Sequence, residues 1–154
     1  MRSLGFRAEA DAFNWAVVEG HVGCPVLIGA ERAAAPSSYS ESAVLSWCRD
    51  RVLFLVEQFA PDVVAVRYAE TVRRASSQDS ARKRCRVEGV LLEAANSASL
   101  RVVTGALGTI SKHLGTRSAK AYLDDDSLRG LDWSKFSKNA REAILVAASA
   151  LGSN

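Results

Sequence analysis

The spacing of apolar positions along the chain switches between a strand period and a helix period, and each switch marks an element. Ser3–Arg7, Phe13–Glu19 and Pro25–Ala30 are short runs rich in β-branched and aromatic residues, separated by Ala8–Ala12 and Gly20–Cys24. They predict three strands with tight connections, an antiparallel meander. After Pro36, Ser40 offers a helix cap, and Val44, Trp47, Cys48, Arg51, Leu55 and Phe59 recur at helical spacing. That helix should end at Ala60, because Pro61 disfavours the α conformation in the residue before it. Val63–Val66 is a continuous apolar run, the signature of a parallel strand buried on both faces.

A polar loop over Ala69–Gln78 leads to a helix predicted from Asp79 to Ala98, with Val87, Leu91, Ala94 or Ala95 and Ala98 inward. Leu100–Thr104 reads as another buried strand. Two short helical pieces, Leu107–His113 and Ser118–Leu123, precede an acidic loop. In the last helix Ser137 is the cap, Ala140, Ala143, Ile144, Ala147, Ala148 and Leu151 form the apolar stripe, and Gly152 is the stop. The string βββαβαβα implies one α/β domain with a mixed sheet and helices on both faces, whose ligands gather at the carboxyl ends of the parallel strands.

Composition adds limits. A chain of 154 residues with 48% hydrophobic and 24% charged residues suits one globular domain, residues 1–154, and excludes disordered and disulfide-stapled classes. Cys24, Cys48 and Cys85 match neither a metal clip nor a closed disulfide set, so a reducing, cytoplasmic location is expected. No leader-like segment opens the chain, and runs such as Val52–Val56 and Ala143–Ala148 are too short to span a bilayer.

Three local patterns carry a resemblance. They are Leu4-Gly5-Phe6-Arg7-Ala8-Glu9 with Asn14-Trp15-Ala16-Val17-Val18, then Gln58-Phe59-Ala60-Pro61-Asp62-Val63-Val64-Ala65-Val66-Arg67, and finally Asn139-Ala140-Arg141-Glu142-Ala143. Weaker likeness runs through Val87-Glu88-Gly89-Val90 and Gly115-Thr116-Arg117-Ser118-Ala119-Lys120. Together with the element order, these resemble the RuvC Holliday-junction resolvases of the RNase H-like superfamily. The resemblance implies a two-fold dimer acting on DNA, with four carboxylates holding two magnesium ions that clamp the attacking and leaving oxygens of a phosphodiester.

The positions matching those acids are Arg7 on the first strand, Arg67 on the fourth, and Asn139 and Glu142 on the last helix. Only Glu142 is acidic. Four carboxylates balance two divalent ions, whereas Arg7, Arg67 and Glu142 already carry net positive charge without metal. The expectation is a pseudonuclease with no catalytic residues, no metal and no cofactor, in which Arg7 or Arg67 pairs with Glu142. Glu9, Asp11 and Glu70 are the acids from which a displaced metal site would have to be rebuilt. Two residues apart on a strand is roughly 6.6 Å, a large displacement for a metal cluster. An active metal-dependent endonuclease with displaced acids is therefore an alternative, as is a protein-interaction scaffold that kept only the fold.

The net charge of +3 is unevenly spread: from Arg67 to Arg86 the chain carries Arg67, Arg73, Arg74, Arg82, Lys83, Arg84 and Arg86 against Glu70 and Asp79, a local +5. Beside an arginine-bearing cleft this reads as a DNA- or RNA-binding surface, the bland alternative being a solvated helix face. Tyr68 is a candidate for base stacking or for rim packing. Trp15 and Trp47 read as core, and Trp133 as a staple against the last helix. His21 and His113 have no catalytic partner in the sequence, Gly105–Gly108 reads as a strand-to-helix turn, and Asp124–Asp126 as a solvated loop. Gly89, inside a helix, suggests close backbone approach to the sheet or to a second subunit.

Overall fold

The three N-terminal strands are β1 (Arg2–Ala8), β2 (Ala12–His21) and β3 (Cys24–Ala34) in the computed structural model, which describes residues 1–68 and 78–152. They form the expected antiparallel meander. Both β2 and β3 outrun their predicted bounds, because Gly20 at φ 105° lets the chain stay paired until only Val22 and Gly23 remain for the turn.

Helix α1 (Glu41–Phe59) starts at Ser40, whose hydroxyl accepts from the Ala43 amide. It stops at Ala60, which takes a left-handed φ of 44° ahead of Pro61 and returns its N–H to the Val56 carbonyl. The face it buries comprises Val44, Cys48, Val52 and Leu55, so Val52 replaces the predicted Arg51, which lies outside over the Phe54 ring.

Strand β4 (Val63–Arg67) docks parallel to β1, and β5 (Arg101–Gly105) parallel to β4, giving the sheet order β3-β2-β1-β4-β5. Between them α2 (Gln78–Ser97) buries Val87, Leu91, Ala94 and Ala95; Ala98, expected in that stripe, falls just past the helix and is half-buried. After Gly105 the chain turns into α3 (Leu107–His113), then α4 (Ala119–Tyr122). The predicted acidic loop also holds a small hairpin, β6 (Ser127–Leu128) and β7 (Leu131–Asp132), turned by Arg129 at φ 51° and Gly130 at φ 86°. The last helix, α5 (Lys138–Ser149), is capped by the Ser137 hydroxyl and ends ahead of the predicted Gly152 stop.

Strand alternation sorts the core into two layers. Leu4, Phe6, Val64 and Val66 meet α1 and α2, while Val63 and Ala65 meet α5 and the α3–α4 region. Gly5 belongs to the second face, and it is the residue that brings α5 close: a Cβ there would stand 2.3 Å from the Ala143 carbonyl oxygen and 2.7 Å from the Ala147 Cβ. Gly89 does not approach the sheet, since a Cβ there meets nothing within 4 Å. Trp133 is fully buried, its indole N–H donating to the Asp125 carbonyl with the Arg141 guanidinium over its ring.

No helix among the described residues is long and apolar enough to cross a membrane. All three cysteines are free thiols; burial first, and then the Asp11 charge, push the Cys48 thiol up to about 11, while Cys24 and Cys85 are exposed. A thiol-reactive chromogenic reagent at mildly alkaline pH should therefore titrate Cys24 and Cys85 in the native protein and Cys48 only after denaturation; rapid reaction of all three would contradict this placement.

Candidate functional site

The carboxyl ends of β1 and β4 carry the first two residues of the site. Arg7 and Arg67 are direct register partners across the parallel pair, so two guanidinium groups rise side by side on the face that α5 covers. Like charges so placed repel unless an anion lies between them. Glu142 supplies it from the first half of α5: its Oε2 stands 3.4 Å from Arg7 Nε and 3.2 Å from Arg67 Nε. The Arg67 side chain is only 2% exposed and those of Arg7 and Glu142 are 15% and 14% exposed, so the trio lies largely out of water. The close seating of α5 on Gly5 sets this geometry, because Ala143 follows Glu142 directly.

Asn139, one turn earlier on α5, joins a second network. Its side-chain amide donates to Glu9 Oε1 at 3.1 Å, and buried Asn14 donates to the same oxygen at 2.7 Å. Arg32 from β3 closes on the other oxygen with two bonds of 3.0 and 2.8 Å. Burial alone would raise the Glu9 pKa, but the bonds from Arg32, Asn14 and Asn139 and the Arg32 charge overcome it and hold the carboxyl below its usual value. Glu9 thus lies near the head of α5 as a consumed carboxylate, with all its described partners being donors. Asp11 lines a different pocket, with Tyr39, Val44 and Lys83, and Glu70 lies outside the described residues.

Among the described residues no group of three His, Cys, Asp or Glu side chains is placed to hold a metal ion. The surroundings of Glu142 do not suit magnesium, which wants oxygen ligands, since the described ion-pair partners of Glu142 are two guanidiniums.

The predicted basic segment is divided. Arg73 and Arg74 lie outside the described residues. Arg82 is exposed; Lys83 pairs with Asp79, and Arg86 with Glu41 on α1. Arg84 differs, because it faces the site. Its guanidinium lies 3.4 Å from Glu88, and burial first, then the charge of Arg7 and to a smaller degree that of Arg67, lower its pKa, with Glu88 and Glu142 opposing. Tyr68 sits at the rim, 37% exposed, its amide donating to the Gly105 carbonyl.

A cleft of about 490 Å³ opens beside the trio, with Arg67 and Glu142 on one side and Lys120, Asp124 and Lys138 on the other. Lys138 and Asp124 are paired at 2.6 Å. Arg141, which the sequence pattern did not single out, locks the loop before α5 by donating to the carbonyls of Phe136, Leu123, Asp125 and Ser134.

No protein-family model matches the chain, and no curated protein sequence matches it. Solved structures do. The chain is similar to Thermus thermophilus RuvC, at 20% identity with a TM-score of 0.78, covering 97% of this chain and 92% of that one. It is likewise similar to T. thermophilus RuvC in complex with a Holliday junction substrate, at 19% identity and a TM-score of 0.76, with 97% and 92% covered. The yeast mitochondrial Holliday junction resolvase Ydc2 is similar at 10% identity and a TM-score of 0.63, covering 96% of this chain and 76% of that one. The chain has the RuvC-like form of the RNase H-like fold.

Proposed function

From that fold and this site we propose that the protein is a RuvC-like pseudonuclease that binds nucleic acid, DNA foremost, without a divalent metal, as an accessory factor in DNA or RNA transactions. The observation that carries the reading is the Arg7–Glu142–Arg67 trio at the positions where the resemblance implies metal-binding carboxylates. The guanidiniums place positive charge where a phosphodiester would meet metal, and arginine recognises phosphate oxygens through directed, bidentate hydrogen bonds. One of the similar structures is of RuvC in complex with a Holliday junction substrate, which supports DNA as the first nucleic acid to test.

The rebuilt-nuclease reading has less support, because the Glu9 carboxylate is already engaged by Arg32, Asn14 and Asn139. A protein-interaction scaffold is the other alternative. We further propose a homodimer, as the resemblance implies, with isologous pairing; exposed Gly89 is open to a second subunit. The three free thiols support a cytoplasmic setting.

Mobility-shift assays with four-way junction, duplex and single-stranded DNA and with RNA, in EDTA, test the central reading. Binding should weaken between about 50 and about 200 mM salt, with a log–log slope of about −2.7 for duplex if three phosphates are neutralised. No cleavage should follow addition of magnesium or manganese. Absent or salt-independent binding sinks the nucleic-acid reading in favour of the scaffold; metal-dependent cleavage lost in Glu142→Ala sinks the pseudonuclease.

A further inference from the structure

Helices α1 and α2 cover the face of the sheet away from α5, and two ion pairs fix how they lie: Arg86 with Glu41 at one end, Arg49 with Glu93 at the other. The residue numbers rise together, so the two helices run in the same direction. Along α1 the charges are Glu41 then Arg49, and along α2 they are Arg86 then Glu93, which marks out a patch about 10 to 12 Å long with alternating signs at its four corners. All four side chains are roughly half exposed. Between the corners lies an open groove of about 400 Å³ whose middle is formed by Leu45, Val90 and Gly89. Gly89 is exposed, and a Cβ there meets nothing within 4 Å. Glycine inside a helix is unfavourable relative to alanine, and no neighbour within the chain requires it here; close approach of another backbone does.

Resting on the homodimer proposed above, we infer that this groove is where a second copy of the chain docks, about a two-fold axis that passes beside Gly89. If the axis crosses the helices, α2 lies antiparallel on α2 of the second copy, with Arg86 opposite its Glu93 and Glu41 opposite its Arg49. If the axis runs along the helices, α2 lies on α1 of the second copy, with Arg86 opposite its Glu41 and Glu93 opposite its Arg49. Opposite charges meet in both cases, so the patch is complementary to itself. A nucleic-acid backbone, with one sign of charge throughout, matches only two of the four corners. Half-exposed ion pairs add little affinity, and their part is to set the register while Leu45, Val90 and the bare backbone at Gly89 make the close contact. The Arg7–Glu142–Arg67 trio lies on the other face, under α5, so this pairing leaves it uncovered in both copies.

Sedimentation velocity of the full chain across a dilution series gives the dimer dissociation constant, and thermal unfolding of the same samples checks folding. Gly89→Gln fills the groove yet favours the helix, so it should weaken dimerisation about tenfold or more while the unfolding midpoint of the dilute, monomeric protein stays unchanged or rises. Glu93→Arg sets like charges opposite one another and should also weaken dimerisation about tenfold or more. Reversing all four signs, with Glu41→Arg, Arg49→Glu, Arg86→Glu and Glu93→Arg, should restore self-association to within about threefold of wild type, and an equimolar mixture with wild type should form no mixed dimer. If the four-charge variant does not fold, Gly89→Gln and Glu93→Arg decide. A wild type that stays monomeric at every concentration overturns the homodimer and this surface together. A wild-type dimer whose dissociation constant is unchanged in Gly89→Gln and Glu93→Arg overturns this surface and leaves the homodimer standing.

Discussion

Glu142→Ala is expected to lower stability by about 3 to 5 kcal/mol, because it removes the carboxylate that lies within ion-pair distance of both the Arg7 and the Arg67 guanidinium in a largely buried place. For a chain of this size that corresponds to a fall in melting temperature on the order of 10 °C. The sign matters more than the size. In a carboxylate-lined metal site, removing one acid from the metal-free protein relieves repulsion, and the protein becomes more stable. Here a carboxylate that bridges two largely covered guanidiniums is removed, and the protein becomes less stable. A triple variant, Arg7→Leu with Arg67→Met and Glu142→Leu, should recover much of the loss, since apolar groups of similar volume replace a buried ion trio at little cost. Thermal or urea unfolding of the two variants checks both. A neutral or stabilising Glu142→Ala would mean that the trio does not hold this end of the sheet together.

Gly5→Ala is the second large expected effect. The added methyl would stand 2.3 Å from the Ala143 carbonyl oxygen, 2.7 Å from the Ala147 Cβ and 2.8 Å from the Ala147 amide nitrogen, so backbone has to yield rather than a flexible side chain. Overpacking of a core costs about 1 to 3 kcal/mol when side chains can adjust, and a clash with helix backbone belongs at or above the top of that range. The consequence reaches the site. Moving α5 off β1 also moves Glu142 away from Arg7 and Arg67, so Gly5→Ala should both destabilise the fold and loosen the Arg7–Glu142–Arg67 trio. Chemical denaturation gives the first result, with m unchanged if the loss is in the native state. A stability change under about 0.5 kcal/mol would contradict the close packing of α5 on the sheet.

Much of this fold was legible because the relevant signals are local. Ala60 ahead of Pro61, the Ser40 and Ser137 caps and the alanine stripe of α5 each act within a few residues, and each sits where the pattern put it. The convergence of Arg7, Arg67 and Glu142 was legible only through the family pattern, since no periodicity relates positions so far apart in sequence. Other features escaped for a physical reason. The β6–β7 hairpin pairs two residues with two, too short to show alternation, and its turn uses Arg129 in a left-handed conformation where Asn or Asp is commoner. Arg129 is held there by donating to the Val22 and Leu114 carbonyls, contacts visible only in three dimensions. Gly89 drew attention as the helical glycine, whereas the glycine that matters for packing is Gly5, within a strand, where its neighbour is a helix distant in sequence. Arg84 read as one charge among seven, and its rotation toward the site depends on where α2 begins relative to the ends of β1 and β4.

The proposed function turns on arginine standing where the resemblance implies metal-binding carboxylates. Crystals soaked in manganese and measured at an anomalous wavelength test it most directly, because a bound ion is seen at its own coordinates. The expected result is no anomalous peak between β1, β4 and the head of α5, with Arg7 and Arg67 still on Glu142. A manganese ion coordinated by Glu142 would contradict it.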